Sequence, residues 1–556
     1  MQNKRHLKIS FLVILVVLLG MSLASPAAAQ VPVQEPGQPV VPITLLSDVQ
    51  AADPIEFETT RLLAENMRQL GFEVEHLAQP RDVYLNFVWF NRMDWQMTAW
   101  RMVGRPERID PDEFTFNLFH SSTAESGFNF VGYNNPEYDA IAEAQRVELD
   151  VNARRDLIFQ AQEIIAEDVP YVFIAHPSLP QLVRTDIWDA STIVDQQGIG
   201  LENFWTWTGL TPLGDQRTII APAPSNLNAI NPLFISGGDD SRITELVWDR
   251  LMRIGPDGLP QPWAAEEVTR EDDLNVLVRI REGMTWHDGE PVTVEDVKFS
   301  FEAPQTGESP MYEPFVSNIA DIQIVDDQTV RFVLKEPSAT FEIATLSKLN
   351  LIPKHIWEPL IEELLTSEDN AESIQEDIPI GSGPYRIVDF DLTEQIILEA
   401  NPDHFSPPKA DGLVLRIIPN AESQLGQIQT GEINFLRNFQ GDSEVLVELA
   451  ESDPNIELFS SPSLGFRFFA FNERVDPFDD PALRRAIAYI TPREPIINNI
   501  FKGFAVPADS FVSTAIEFWH NPNLPQYEFD FDRAREILAE AGYTWDENGR
   551  LIAPPE

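Results

Sequence analysis

The chain closes on AEAGYTWDENGRLIAPPE, in which an amphipathic helix, a glycine stop and the first arm of a hairpin are laid down before the sequence ends with no second strand to pair. The helix, FDRAREILAEAG, sets Ala534, Ile537, Leu538 and Ala541 on one face. A strand without a neighbour leaves its backbone donors and acceptors unpaired, so this arm needs a partner from a distant part of the chain. Any fold for this sequence has to bring that partner to it.

With 556 residues, 43% of them hydrophobic and 10% aromatic, the chain is globular and long enough for two or three lobes. A net charge of −50 argues against nucleic acid, since phosphate binding needs a Lys/Arg surface. Residues 1–29 read as an export signal. Lys4, Arg5 and Lys8 precede the apolar run from Phe11 to Met21, and Ala27-Ala28-Ala29 offers the small-residue cleavage site. That run is shorter than the roughly 20 residues needed to span a bilayer. The chain holds no cysteine, hence no disulfide, no thiol nucleophile and no lipid anchor through a thiol. The expected location is the periplasm or the cell exterior.

After the Pro-rich stretch VPVQEPGQPVVP, the sequence predicts a strand, ITLLS, and a helix with Phe57, Leu63, Met67 and Leu70 on one side and Gly71 as its stop. The stretch WFNRMDWQMTAWRMVGRPERIDPDEF reads as strand then polar loop, and ARRDLIFQAQEIIAED as a helix with Leu157, Ala161, Ile164 and Ile165 on its buried face. From RTIIAPA onward the chain is rich in strands, and DIQIVDDQTVRFVL alternates around a turn placed at Asp326-Asp327. In DDPALRRAIAYI, Asp480 is the expected N-cap and Pro481 the first helical residue. Many short strands with helices between them make an α/β protein.

No Gly-x-x-x-x-Gly-Lys loop, dinucleotide fingerprint or Gly-x-Ser-x-Gly elbow is present, and no two of the eight His stand at metal-ligand spacing. No catalytic residue, metal or cofactor is assigned. Two motifs stand out. In TWHDGEPVTVEDV, Asp288-Gly289 makes a tight turn and Thr293 caps a helix whose Asp296 returns the cap bond. In IGSGPYRI, two glycines admit backbone conformations closed to other residues, which suits a hinge or crossover.

These motifs, in this order, resemble the family 5 extracellular solute-binding proteins, the dipeptide-, oligopeptide- and nickel-binding components of ABC importers. LNAINPL with ITELVWDRLMR, LEANPDHF and FAFNERVDPFDDPALRRAIAYI look like the family's early and middle segments. GFNFVGYNNPEYDAIAEAQ and AQEIIAEDVPYVFIAH look like its late portion. Thr491-Pro492-Arg493 stands where an Asp-Arg pair is usual. The late portion comes first here, which implies a circular permutant. Setting GRLIAPPE before PGQPVVPITLL restores the family's hairpin, so residues 43–48 are expected beside 549–553.

The resemblance implies a two-lobed periplasmic-binding-protein type II fold, circularly permuted, with an extra β-rich subdomain. Residues 1–29 are then the signal peptide and 30–42 a Pro-rich lead-in. Lobe II takes its second half from 43–171 and its first half from 471–556. Lobe I comprises 217–470, with its insert at about 256–375, and the return segment 172–205. The linker 206–216 joins the family's usual termini. The implied function is capture of a small ligand (peptide, oligosaccharide or organic anion) between the lobes by a monomer, and delivery to an ABC permease. A ligand sensor for a chemoreceptor and a secreted enzyme are the alternatives.

In the family's dipeptide binders, a segment shaped Gly-Trp-x-x-Asp followed by Asp-Pro supplies the carboxylate for the ligand's amino group. Trp100 and Asp110-Pro111 match it, but the middle Asp is missing and Arg101, Arg105 and Arg108 stand in the loop. Arg forks suit oxyanions, so a ligand with a carboxylate, a phosphate or many hydroxyls is expected. On the facing lobe the resemblance places Phe234, Ser236 and Gly237 at the cleft. Phe466 follows the hinge strand.

Overall fold

The computed structural model describes residues 32–555 apart from 94, 105, 224–229, 235–237, 308, 365, 367–370, 375–377, 392–393, 419, 438 and 440. The export-signal segment 1–29 lies outside them. The fold is mixed α/β in two lobes, with one core built from residues 183–435 and the others drawn mainly from both ends of the described chain, one of which also takes in Ile199 and Ile343. One sheet runs through both lobes, in the order Phe435–Leu436, Tyr171–Arg184, Phe466–Phe471, Met97–Met102, Ile43–Ser47, Val74–Ala78.

The 14-residue strand Tyr171–Arg184 is shared by the two lobes. Its first half pairs with Phe466–Phe471, from Ala470↔Tyr171 to Arg467↔Ala175, and its second half pairs with Ile456–Pro462, from Pro462↔Ser178 to Ile456↔Arg184. The lobes therefore meet at Pro177-Ser178 and Ser463–Gly465, a few residues inside the bounds at 171 and 470 expected from sequence. Backbone approaches backbone here, for a Cβ on Gly465 would lie 2.6 Å from the Gly104 nitrogen. The buried His176 ring, its pKa pushed down to about 4 by burial, stays neutral and donates from Nδ1 to the Gly465 carbonyl at 2.9 Å.

Lobe I shares one core with its insert. The insert is an antiparallel sheet ordered Ile319–Asp326, Thr329–Leu334, Asn275–Ile280, Ala265–Arg270. Thr293 and Asp296 form the reciprocal cap expected for the helix Val294–Thr306. Asp480 caps Pro481–Tyr489 in the same way that its sequence suggests. Three details differ from the sequence reading. Because Asp326 pairs with Thr329, the hairpin turn falls on Asp327-Gln328. On the helix Val151–Asp168 the buried line is Arg154, Ile158, Ala161 and Ile165, with Leu157 only half-buried. Gly381 and Gly383 are glycines for want of space, since Cβ atoms there would meet the Val247 and Leu246 carbonyl oxygens.

The terminal hairpin also differs. Its first arm, Thr544–Trp545, finds its partner within the chain's own end, Leu551–Ile552. The loop between them is closed by Asp546, whose backbone and carboxylate both engage Arg550. Arms of two residues do not stand alone. The Pro-rich segment supplies the third arm: Val40 N–H donates to the Leu551 carbonyl at 2.8 Å and Ala553 N–H to the Gln38 carbonyl at 2.9 Å. The residues beside the terminal arm are thus 37–40 and not 43–48, because Ile43–Ser47 is already flanked by Val74–Ala78 and Met97–Met102. Leu551, 1% exposed, locks this ribbon into the lobe II core. Leu551→Ala is expected to cost about 3 kcal/mol in urea unfolding. A loss under about 1 kcal/mol would mean that the ribbon is not part of that core.

Candidate functional site

A cavity of about 1130 Å³ lies between lobe II and the insert of lobe I. Its lobe II wall comes from the helices Asp112–Phe119 and Pro136–Val147, and its other wall from residues 310–348 together with Phe234. The helix Pro136–Val147 starts where it does because Asn135 accepts from Glu137 N–H and Tyr138 N–H, and Pro136 is set for the first turn. Its end reaches the insert, where Ala339 N–H donates to the Arg146 carbonyl at 2.8 Å. This backbone bond bridges the lobes at the rim of the cavity.

Five phenylalanines, Phe116, Phe128, Phe234, Phe315 and Phe341, give the cavity aromatic walls. The Arg146 guanidinium lies 4.1 Å from the centre of the Phe116 ring and 3.2 Å from the Asp112 carboxylate. Lys348 sits 4.5 Å over the Phe315 ring. Burial raises the Asp112 carboxyl pKa, and Arg146 offsets only part of that rise. Six carboxylates (Asp110, Asp112, Glu113, Glu143, Glu336 and Glu372) line the space against two cations, Arg146 and Lys348. Such a wall suits a ligand with apolar groups and positive charge.

Of the residues singled out in the sequence, Asp110 and Phe234 line this cavity. Asp110 is fully engaged with Arg154, whose two terminal nitrogens donate to its carboxylate oxygens at 2.8 and 2.6 Å. Burial alone would raise the Asp110 pKa, but the Arg154 charge more than compensates and holds it below the usual carboxylate range. Trp100 packs inside lobe II, stacked on Trp89 with ring centres 6.1 Å apart and edge-on to Tyr84. Phe466 is wholly buried against Phe114 and Phe173. Neither lines the cavity. Arg105, Ser236 and Gly237 lie outside the described residues.

The neighbouring arginines are also engaged. Arg101 pairs with Asp53, the N-cap of Pro54–Leu70, and Arg467 joins the same carboxylate at 2.9 Å. Arg108 donates to the Val103 carbonyl at 2.7 Å. Sequence reading did not find Arg146, Lys348 or the phenylalanines of the insert. They carry no motif, and the two lobes that face each other here are far apart in the chain.

The family of bacterial extracellular solute-binding proteins, family 5 middle, matches residues 260–554. The oligopeptide-binding protein AppA of Bacillus subtilis is 30% identical over 282 residues, 49% of this chain and 49% of its own length. The glutathione-binding protein GsiB of Shigella flexneri is 25% identical over 334 residues, 59% of this chain and 62% of its own. The solved structure of AppA from Bacillus subtilis with a nonapeptide is 24% identical and covers 60% of this chain and 65% of that one, with a TM-score of 0.44. The chain spans about half the length of the AppA relative, 49%.

Removing the cation under Asp110 tests its structural role. Arg154→Met is expected to cost about 3–5 kcal/mol by denaturant unfolding, because it strands a buried carboxylate. Adding Asp110→Asn should restore much of that loss. Equal stability of the single and double variants would mean that the pair does not act as a unit.

Proposed function

The chain belongs to the bacterial extracellular solute-binding proteins of family 5, and from that membership we propose that it captures a short peptide between its lobes, outside the cytoplasm, and hands it to an ABC permease. The observation that carries this reading is the cavity of about 1130 Å³ between the lobes, with aromatic walls and an excess of carboxylates. Phenylalanine faces take apolar side chains, and the carboxylates suit an amino terminus or a basic side chain. The names of the relatives, oligopeptide-binding and glutathione-binding, point to the same class. An organic anion is the weaker reading, since Arg101 is engaged by Asp53, and Arg108 by the Val103 carbonyl and by Glu113 of the cavity wall at 3.9 Å. The expected cellular setting is the periplasm or exterior, with the protein acting as a monomer.

Thermal unfolding of residues 30–556 against a panel of peptides, oligosaccharides and organic acids tests the reading. Short apolar peptides with a free amino terminus should raise the midpoint, a ligand at 100 times its Kd adding about 2.7 kcal/mol. Phe116→Ala should weaken that binding about tenfold, read as the ligand-induced rise above the variant's own unliganded midpoint. A midpoint raised by organic anions and by no peptide would overturn the peptide reading.

We also propose that the order of segments is a circular permutation of the family's. The pairing of 37–40 with 551–554 supports it, because Gly37 N–H donates to the Pro554 carbonyl at 3.0 Å and the two segments sit within reach of a direct peptide link. A reordered chain, residues 216–555 followed by 32–215, should fold in one cooperative transition and bind the same peptides. Failure of the reordered chain to fold, beside a well-folded original, would refute the proposal.

A further inference from the structure

A second cavity, of about 840 Å³, lies wholly within lobe II. Beside it the strand Ala505–Pro507 pairs with Tyr171–Arg184 at Ala175, His176 and Pro177, and Ala508 N–H adds one more bond, to the Ile174 carbonyl at 3.2 Å. The edge beyond that bond is met by Arg493, which donates Nε to the Phe173 carbonyl at 2.7 Å and Nη1 to the Ala488 and Tyr527 carbonyls at 3.2 and 2.9 Å. Three carbonyls hold this cation, and among the described residues no carboxylate lies within ion-pair distance of it. Glu494 follows it in the sequence and lines the same cavity, but its side chain is exposed and makes no ion pair with Arg493. Burial draws the guanidinium pKa down to about 10, with Asp509 acting against the fall.

Asp509 also lines the cavity, fixed by His520 Nε2 at 2.9 Å on one oxygen and by Gln526 Nε2 at 3.1 Å on the other. Each oxygen keeps a lone pair for one more donor. The lining between Arg493 and Asp509 includes the apolar Val172 and Ile497 and the Tyr527 ring, and the exposed Glu494 and Glu528 add two more carboxylates to it. We infer that this cavity is a second ligand site that takes a small zwitterion with an apolar side chain, a free amino acid, its carboxylate on Arg493 and its ammonium on Asp509. All the lining residues belong to lobe II, so occupancy requires no lobe movement and is independent of the interlobe cavity.

Isothermal titration of the whole protein with L-leucine and L-phenylalanine tests this, with N-acetyl-leucine and leucinamide as capped probes. At least one free amino acid should bind at one site, and both caps should weaken binding at least tenfold. Asn498→Trp, at the exposed rim, and Asp509→Asn should each weaken it at least tenfold, whereas Phe116→Ala in the interlobe cavity should leave it unchanged. Should Asp509→Asn fail to fold, as judged by its melting curve, the rim variant and the capped probes decide. No heat from either amino acid at about 10 mM, or affinity that follows Phe116→Ala instead of Asn498→Trp, would overturn the inference.

Discussion

The interaction on which the rest of the structure depends is the antiparallel pairing of Tyr171–Arg184 with the run from Ile456 to Phe471. Both chain crossings between the lobes lie in this pair, at Pro177-Ser178 and at Ser463–Gly465. Each strand keeps its ladder on either side of the crossing if the lobes change their angle, whereas Ile199 and Ile343 of lobe I, buried in the lobe II cluster, would have to shift. The close approach of Gly104 and Gly465, and the neutral His176 ring on the Gly465 carbonyl, fix where any rotation can occur. The same pair sets the interlobe cavity. It holds the lobe II helices opposite the insert, with the Ala339 to Arg146 bond as the far contact. Under the proposed permutation, lobe I becomes one continuous stretch and lobe II is completed by a ribbon of 37–40 on 551–554.

Features set by local chemistry were legible in the sequence. Asp480-Pro481, Thr293 with Asp296, and Gly71 act within a few residues, so their capping and stopping roles follow from side-chain type and spacing. The two-lobed α/β fold was legible as well, through segments that resemble one family although its late portion comes first here. The site was harder to read. An aromatic residue such as Trp100 or Phe466 has the same composition signal in a core as in a binding wall, and here both are core. Asp110 looked like a ligand group because its partner, Arg154, stands 44 residues away on the helix Val151–Asp168. The terminal hairpin was misread because the second arm is only two residues long, too short to show alternation.

The chain carries 89 acidic residues against 39 Lys and Arg, yet several arginines are buried. Arg154 grips Asp110, Arg253 donates to the Glu245 and Trp248 carbonyls over the Phe204 ring, and Arg484 ties Phe478 to Asp168. A planar fork with five donors can satisfy two or three carbonyls at once and sheds its hydration more readily than an ammonium, so arginine suits these posts and lysine does not. The consequence reaches the function. Cations committed to the interior are withdrawn from the surface and from the interlobe cavity, where Arg146 and Lys348 face six carboxylates and one of those, Asp110, is already neutralised from behind. The field inside that cavity is left negative, which favours a ligand that brings positive charge with its apolar groups.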